Sequence, residues 1–114
     1  MKKIRSTNPE ILKLLDTLKE QDGEIWKDLA SRISKSIENR PVVNLGRINR
    51  FAKKGEIIIV PGKVLSDGKL DKNLTIAALS FSEEAKRKIK EAKGNLKKIE
   101  ELVKENPSKI RIFG

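Results

Sequence analysis

The sequence has 114 residues, of which 37% are hydrophobic, and this is enough for the modest core of one domain. Its formal net charge of +10 favours a polyanionic partner, either nucleic acid or an anionic membrane surface. Because cysteine and histidine are absent, disulfides, Cys/His zinc sites, thiolate nucleophiles and imidazole bases are excluded. We therefore expect no enzyme, no cofactor, no metal site and no small-molecule substrate.

The first third of the chain predicts a basic tail (residues 1–7) and a helical hairpin (residues 8–39). Asn8-Pro9 is a typical helix start, and Asp22-Gly23 separates two amphipathic helices. Their apolar faces consist of Ile11, Leu12, Leu14, Leu15 and Leu18 in the first helix and of Ile25, Trp26, Leu29, Ala30 and Ile33 in the second. The basic tail has no apolar stretch after it, so we expect no signal peptide, and no apolar run approaches the about 20 residues of a membrane span. We expect a cytoplasmic protein.

Residues 40–114 predict an α/β core of short strands and helices. In chain order we expect an extended piece at 42–44, a short helix at 46–52 closed by Gly55, a strand at 56–60, a chain reversal at Pro61-Gly62, a tight turn at 66–69 and a buried strand at 74–79. A helix capped by Ser82 then runs to about Lys93, and a short helix marked by Leu96, Ile99, Leu102 and Val103 precedes a stop at Asn106-Pro107 and a strand at 109–112. The predicted fold class is α/β: an N-terminal helical hairpin followed by short strands alternating with helices in one irregular, compact, layered domain of residues 1–114.

Charge is spread unevenly over these regions. Residues 1–39 hold 8 basic and 7 acidic residues, residues 40–72 hold 8 and 3, and residues 73–114 hold 10 and 6. The middle segment combines basic residues with Gly and Asn, which suit phosphate contacts, close backbone approach and recognition of base edges or the 2′-hydroxyl. Arg47 and Arg50 would share one face of the short helix, with Lys54 one turn on, while Leu45, Ile48, Phe51 and Ala52 face the core. The candidate RNA-binding residues are Lys2, Lys3, Arg5, Arg40, Asn44, Gly46, Arg47, Asn49, Arg50, Lys53, Lys54 and Lys63.

Other features have competing interpretations. Trp26 and Phe51 could stack on bases, but their helical spacing favours the core. The basic run at 86–88, with Lys90 and Lys93, is interleaved with acidic residues and is either a solvated helix face or a phosphate contact. Pro61-Gly62-Lys63 lacks the spacing of a nucleotide-binding loop and favours a turn whose lysine contacts RNA.

Two neighbouring motifs carry a family resemblance. The stretch at 43–52, Val-Asn-Leu-Gly-Arg-Ile-Asn-Arg-Phe-Ala, and the stretch at 60–65, Val-Pro-Gly-Lys-Val-Leu, closely resemble the L18e family of ribosomal proteins, which is related to bacterial ribosomal protein L15. Shorter matches extend over nearly the whole chain, although Lys93-Gly94-Asn95 departs from the Gly-Gly pair frequent in that family. The resemblance implies a structural constituent of the archaeal or eukaryotic large ribosomal subunit, within the cytoplasm. Its partners would be large-subunit ribosomal RNA and neighbouring large-subunit proteins.

Three other functional classes remain open on the residues alone. A chromatin-type protein would bind duplex DNA as well as RNA. An enzyme would need convergent titratable groups in a pocket. A membrane-surface protein would need a one-sided basic helix backed by aromatic residues, and the helices here mix acids with lysines; no membrane partner is expected.

Overall fold

A parallel sheet with helices on both faces organises the described part of the chain. The computed structural model describes residues 9–39, 41–104 and 109–113, without the side chains of 36–38. Its elements are α1 (Pro9–Glu20), α2 (Glu24–Asn39), β1 (Val42–Asn44), α3 (Leu45–Phe51), β2 (Ile57–Leu65), β3 (Thr75–Phe81), α4 (Glu83–Glu91), β4 (Asn95–Lys97), a 3₁₀ helix (Ile99–Lys104) and β5 (Ile110–Ile112). This arrangement confirms the predicted α/β class and the N-terminal helical hairpin.

Every strand pair in the described sheet is parallel. The order is β1-β2-β3-β4, and β5 pairs with the first half of β2, on the edge whose second half pairs with β1. Because β2 is covered on both faces, it begins with a continuous apolar run. Ile57 and Ile59 pack towards α1, α2 and the 3₁₀ helix, whereas Ile58 and Val60 pack towards α3 and α4. Two apolar clusters therefore lie on opposite sides of the sheet.

The helical hairpin covers one of those sides. Leu15, Leu18 and Leu29 are fully buried there, and the hairpin turns at Gly23, whose φ is +119°. Trp26 is only 2% exposed, which confirms its predicted place in the core. Asn8, the predicted cap of α1, lies outside the described residues, as does the expected stop at Asn106-Pro107.

The chain reversal expected at Pro61-Gly62 is wrong, because β2 runs straight through these residues. Val60 pairs with Ala78 and Lys63 with Ser80, so β2 carries one extra residue there as a bulge. A bulge accommodates Pro61, which has no backbone N–H. Gly62 is required by close packing, since a Cβ there would lie 2.5 Å from the Pro41 carbonyl oxygen.

The tight turn expected at 66–69 is also absent. Since β2 and β3 are parallel, the nine residues 66–74 must return the chain to the start of the sheet. Nine extended residues reach about 30 Å, close to the length of β2, so the connection has no slack for a helix. It crosses beside α3 and α4, and buried Leu74 anchors its end in the core.

The region after α4 differs from the prediction in two ways. Ser82 caps α4 as expected, accepting a hydrogen bond from the Ala85 N–H, but the helix ends at Glu91 instead of continuing to Lys93. Residues 95–97 form β4, a strand that the helical interpretation of Leu96 missed. The strand follows from Gly94, which packs against the Leu74 carbonyl and allows the chain to pair with β3.

Candidate nucleic-acid interface

Helix α3 and the turn after it present four basic side chains to solvent. Arg47 and Arg50 are exposed on α3, whereas Lys53 and Lys54 are exposed in the turn that ends at Gly55. Lys54 was expected one helical turn after Arg50. Because α3 ends at Phe51, Lys54 does not continue that helical face. We call the four cations Arg47, Arg50, Lys53 and Lys54 the α3 surface.

No acidic side chain of the described residues pairs with the α3 surface. No acidic residue occurs between Asn39 and Gly55 in the sequence. Within the described part of the chain, the four side chains form no hydrogen bond and no ion pair. Four exposed cations on a short stretch of backbone can therefore bind a polyanion without first breaking internal contacts.

Glu56 is the acid next to this surface, and its carboxylate is used elsewhere. Its Oε1 accepts a hydrogen bond from the Lys53 backbone N–H at 2.9 Å and lies 3.5 Å from the Arg111 guanidinium. The carboxylate thus stabilises the turn at Gly55, whose φ is +81°, rather than a lysine ammonium group.

Three predicted RNA-binding residues are only partly exposed, and two of them have contacts within the protein. Gly46 packs against Gly68 so closely that a Cβ on Gly46 would lie 2.9 Å from the Gly68 Cα, and the Gly46 N–H donates to the Asp67 carbonyl. Asn49 Oδ1 accepts a hydrogen bond from the Asp71 N–H at 3.3 Å. Asn44 precedes α3 without capping it, and its buried Oδ1 has no hydrogen-bond partner among the described residues. Gly46 and Asn49 thus fix α3 against the connection at 66–74.

Two cations that were not predicted as functional hold the C-terminal end of α3. The Lys72 ammonium donates to the carbonyls of Asn49 and Ala52, at 2.6 and 2.7 Å. The Arg111 guanidinium donates to the carbonyl of Phe51 at 2.9 Å. Carbonyls at a helix end lack partners within the helix, so these bonds fix the position of the α3 surface. Lys72 and Arg111 lie far from α3 in sequence, and no local pattern indicates their role.

Asn49 also affects the acid-base properties of one carboxyl group, that of Asp71. A hydrogen bond from the Asn49 side chain, with a smaller contribution from Lys69, holds the pKa of the Asp71 carboxyl below its ordinary value of 3.8. The Asp71 carboxylate is ionised at neutral pH and forms an ion pair with the Lys69 ammonium at 3.5 Å. Neither Asp71 nor Glu56 neutralises the α3 surface.

Lys63 lies away from the α3 surface. Its neighbour Val64 packs on the side of the sheet that α3 and α4 cover, so Lys63 points to the opposite side. There it stands beside its register partners Val42 and Ser80, and all three are exposed. The remaining predicted residues, Lys2, Lys3, Arg5 and Arg40, lie outside the described residues.

The basic run on α4 is largely occupied by internal contacts. Arg87 binds Glu84 and Glu91 at 2.5 and 2.6 Å, and Lys86 binds Glu83 at 3.4 Å. Arg87 consequently lowers the pKa of the Glu84 carboxyl below its ordinary value of 4.5. The Lys88 ammonium donates to the carbonyls of Ser66 and Gly68, at 2.7 and 3.0 Å. Lys90 and Lys93 remain exposed without such partners in the described residues.

Phe51 was expected in the core, and this is wrong. Its ring is 54% exposed, whereas Leu45, Ile48 and Ala52 are buried as predicted. At about 100° per residue, Phe51 lies roughly 90° away from the centre of that buried face. A helix of seven residues packs only a narrow stripe of side chains against the core. Phe51 lies outside this stripe, next to Arg47, which is four residues earlier.

The described residues show neither a group of His, Cys, Asp and Glu suited to a metal ion nor a helix long and apolar enough to cross a membrane. The fold and the site together define a small, basic α/β protein with one rigidly held, acid-free surface suited to a polyanion.

Comparisons with known proteins identify the family. The model of the family described as "Ribosomal protein 60S L18 and 50S L18e" matches residues 2–111. A protein of Methanoregula boonei named large ribosomal subunit protein eL18 is 48% identical, over 96% of either chain. Proteins of the same name from Methanospirillum hungatei and Archaeoglobus fulgidus are 48% and 44% identical, over 94% and 91% of this chain and over 93% and 92% of their own. The chain belongs to this family of ribosomal proteins.

Family membership confirms the resemblance carried by the two sequence motifs. It also confirms that the protein is a ribosomal constituent of the large subunit in the cytoplasm and not an enzyme.

Proposed function

We propose that the α3 surface binds large-subunit ribosomal RNA and so holds the protein in the subunit. The observation that carries the proposal is the absence of any internal partner for Arg47, Arg50, Lys53 and Lys54 among the described residues. The relatives are named as large-subunit ribosomal proteins, and RNA is the polyanion of that particle.

The mechanism is electrostatic with a fixed geometry. Each cation neutralises a phosphate and releases condensed counterions, so binding weakens as salt rises. The guanidinium groups of Arg47 and Arg50, three residues apart on α3, can each form two parallel hydrogen bonds to phosphate oxygens. Lys72 and Arg111 stabilise the helix end without consuming those donors. Recognition then depends on the shape of the RNA backbone.

Gly46 and Asn49 support this surface. Their contacts with Gly68 and Asp71 set the position of α3, so we assign them to positioning rather than to direct phosphate contact. Asn44 has no such side-chain contact among the described residues, and its role in RNA binding stays a prediction. Lys63, on the other side of the sheet, would contact a separate segment of RNA. RNA would thus contact the protein on both sides of its sheet. Neighbouring ribosomal proteins would be further partners.

Salt-dependent binding tests the proposal. The full-length protein would be titrated with large-subunit ribosomal RNA, comparing Arg47→Gln/Arg50→Gln with Lys13→Gln/Lys19→Gln. The control pair removes the same charge from α1, on the opposite side of the sheet. We expect the α3 variant to lose about tenfold in affinity and to flatten the log–log salt slope by about 1.5, and the α1 variant to change affinity by less than about twofold. Equal losses in both variants, or equal affinity for duplex DNA, would contradict the proposal.

A further inference from the structure

Phe51 is an exposed aromatic ring within the α3 surface. The large apolar side chains that are exposed in the described residues are Leu12, Val42 and Phe51, and Phe51 is the aromatic one. The other two phenylalanines, Phe113 and Phe81, are buried and half-buried. Phe51 is 54% exposed and contributes little to the core, so its ring is accessible to an external partner.

The backbone beneath the ring is held firmly. The carbonyl of Phe51 accepts the Arg111 hydrogen bond at 2.9 Å, and the neighbouring carbonyl of Ala52 accepts that of Lys72 at 2.7 Å. Ala52 is itself buried, which fixes the residue that follows the ring. Binding at the ring therefore requires little further ordering of the backbone that carries it.

The four cations of the α3 surface are neighbours of Phe51 along the chain. Arg47 lies four residues before Phe51 and is its neighbour on the helix surface, and Arg50 directly precedes it. Lys53 and Lys54 follow in the turn, and all four cations lack internal partners in the described residues. A ring with cations on its flanks fits a nucleotide, whose base stacks while its phosphates are neutralised.

We propose that Phe51 stacks on an unpaired nucleobase of the RNA that the α3 surface binds. The base must be unpaired, because bases within an RNA helix expose only their edges. The inference rests on the proposed function and deepens it, since stacking selects bulged or single-stranded RNA over a continuous duplex. A protein neighbour covering the ring is the competing occupant, and the unneutralised cations beside the ring disfavour an apolar protein surface.

The test compares two RNAs and two substitutions of the full-length protein. The RNAs are a single strand of about 12 nucleotides and the duplex of the same sequence. Phe51→Leu removes the aromatic face while remaining apolar, and Phe51→Trp keeps a ring. We expect Phe51→Leu to weaken single-strand binding by about tenfold, with duplex binding changed by less than about twofold and an unchanged salt slope. Phe51→Trp should bind the single strand at least as well as the natural protein.

Fluorescence gives a second readout from the same samples. The chain has one tryptophan, Trp26, which is 2% exposed, so single-stranded RNA should not quench the natural protein. It should quench the additional emission of Phe51→Trp, because a stacked base lies in contact with the indole. Quenching by the duplex to the same extent would contradict selection of an unpaired base.

The outcomes separate this inference from the function on which it rests. In one outcome, the natural protein binds both RNAs with an affinity that falls as salt rises, and Phe51→Leu binds each RNA with the same affinity. Stacking is then overturned and the proposed function stands. If the natural protein binds neither RNA, both fail. If Phe51→Leu keeps both RNA affinities but no longer sediments with large subunits, the ring contacts a protein neighbour and the stacking proposal is overturned.

Discussion

Two helices of this protein, α3 and α4, each carry a group of basic residues and differ in what their cations contact. Helix α4 holds Lys86, Arg87, Lys88 and Lys90 together with three glutamates, and its arginine binds two of those glutamates. Helix α3 and its turn hold four cations and no acid. The difference shows that the spacing of acids, three or four residues away on the same helix, decides whether a basic run is available to a polyanion.

The two helices are also joined, because the connection at 66–74 touches both. Gly68 packs against Gly46 at the start of α3, and its carbonyl accepts a hydrogen bond from Lys88 of α4. Lys88 is thus a structural residue of the connection, whereas Arg47 on α3 makes no comparable contact in the described part of the chain. The predictions below alter either this joint or the pairing of charges.

The largest expected effect follows from Gly68→Ala. Its φ of +90° disfavours any Cβ, and the added Cβ would lie 2.5 Å from the Gly46 Cα. We expect a loss of at least about 2 kcal/mol in the free energy of unfolding, measured by chemical denaturation. Gly55→Ala is the matched control: its φ is +81°, but nothing lies within 4 Å, so only about 1 kcal/mol should be lost. Equal losses would show that backbone strain, and not the contact between the glycines, dominates.

Lys72→Met should have the next largest effect. The substitution keeps the apolar length of the side chain and removes the ammonium that binds the carbonyls of Asn49 and Ala52. We expect a loss of about 1–2 kcal/mol in unfolding free energy, since hydrogen bonds from a charged group are involved. Lys69→Met, which removes an exposed ion pair with Asp71, should cost less than about 1 kcal/mol. A Lys72 variant as stable as the Lys69 variant would refute the capping role.

Neutralising the glutamates of α4 should make this helix resemble α3. In Glu84→Gln/Glu91→Gln, Arg87 loses both of its ion pairs and becomes available to phosphate. We expect the affinity for ribosomal RNA to rise about threefold and the salt slope to steepen by about 1. Glu100→Gln/Glu101→Gln, with the same change in charge on the 3₁₀ helix, should have a smaller effect on affinity. If the two variants gain equally, overall charge matters more than the freed arginine.

The smallest effect concerns pH. The pKa of Asp71 is lowered in the folded protein, chiefly by the Asn49 side chain, so its ionised form stabilises the fold. That contribution is complete above the ordinary pKa of 3.8 and is lost as the pH falls below it. Asp71→Asn should therefore lower stability slightly at neutral pH and converge with the natural protein as the pH falls below about 4, so the variant shows a smaller acid decline. An identical acid profile for the variant would contradict the lowered pKa.

The sequence predicted elements wherever local chemistry determines them. Helical spacing placed α1 and α2, and Ser82 with the two glutamates after it placed the start of α4. The errors arise where tertiary pairing overrides the local signal. Pro61-Gly62 has the composition of a turn, but it forms a bulge because β1 and β3 pair on either side of β2. Strand β4 exists because β3 offers an edge to pair with.

The cations of the candidate site could be predicted from the sequence, but the contacts that hold α3 in place could not. The lack of acid around Arg47 and Arg50 is visible in the sequence, and both are exposed as expected. That Gly46 packs on Gly68, and that Lys72 reaches α3 from more than 20 residues away, depends on the path of the connection at 66–74. No local pattern specifies that path.

The most direct test of the α3 surface is ultraviolet crosslinking of protein to RNA in large subunits that contain this chain, followed by mass spectrometry of the nucleotide-bearing peptides. The account predicts crosslinked nucleotides on peptides that include Arg47, Arg50 and Phe51, and few on peptides of α4 that include Arg87. Abundant crosslinks on α4 with none on residues 45–54 would contradict it, because the neutralised helix would then be the one that binds RNA.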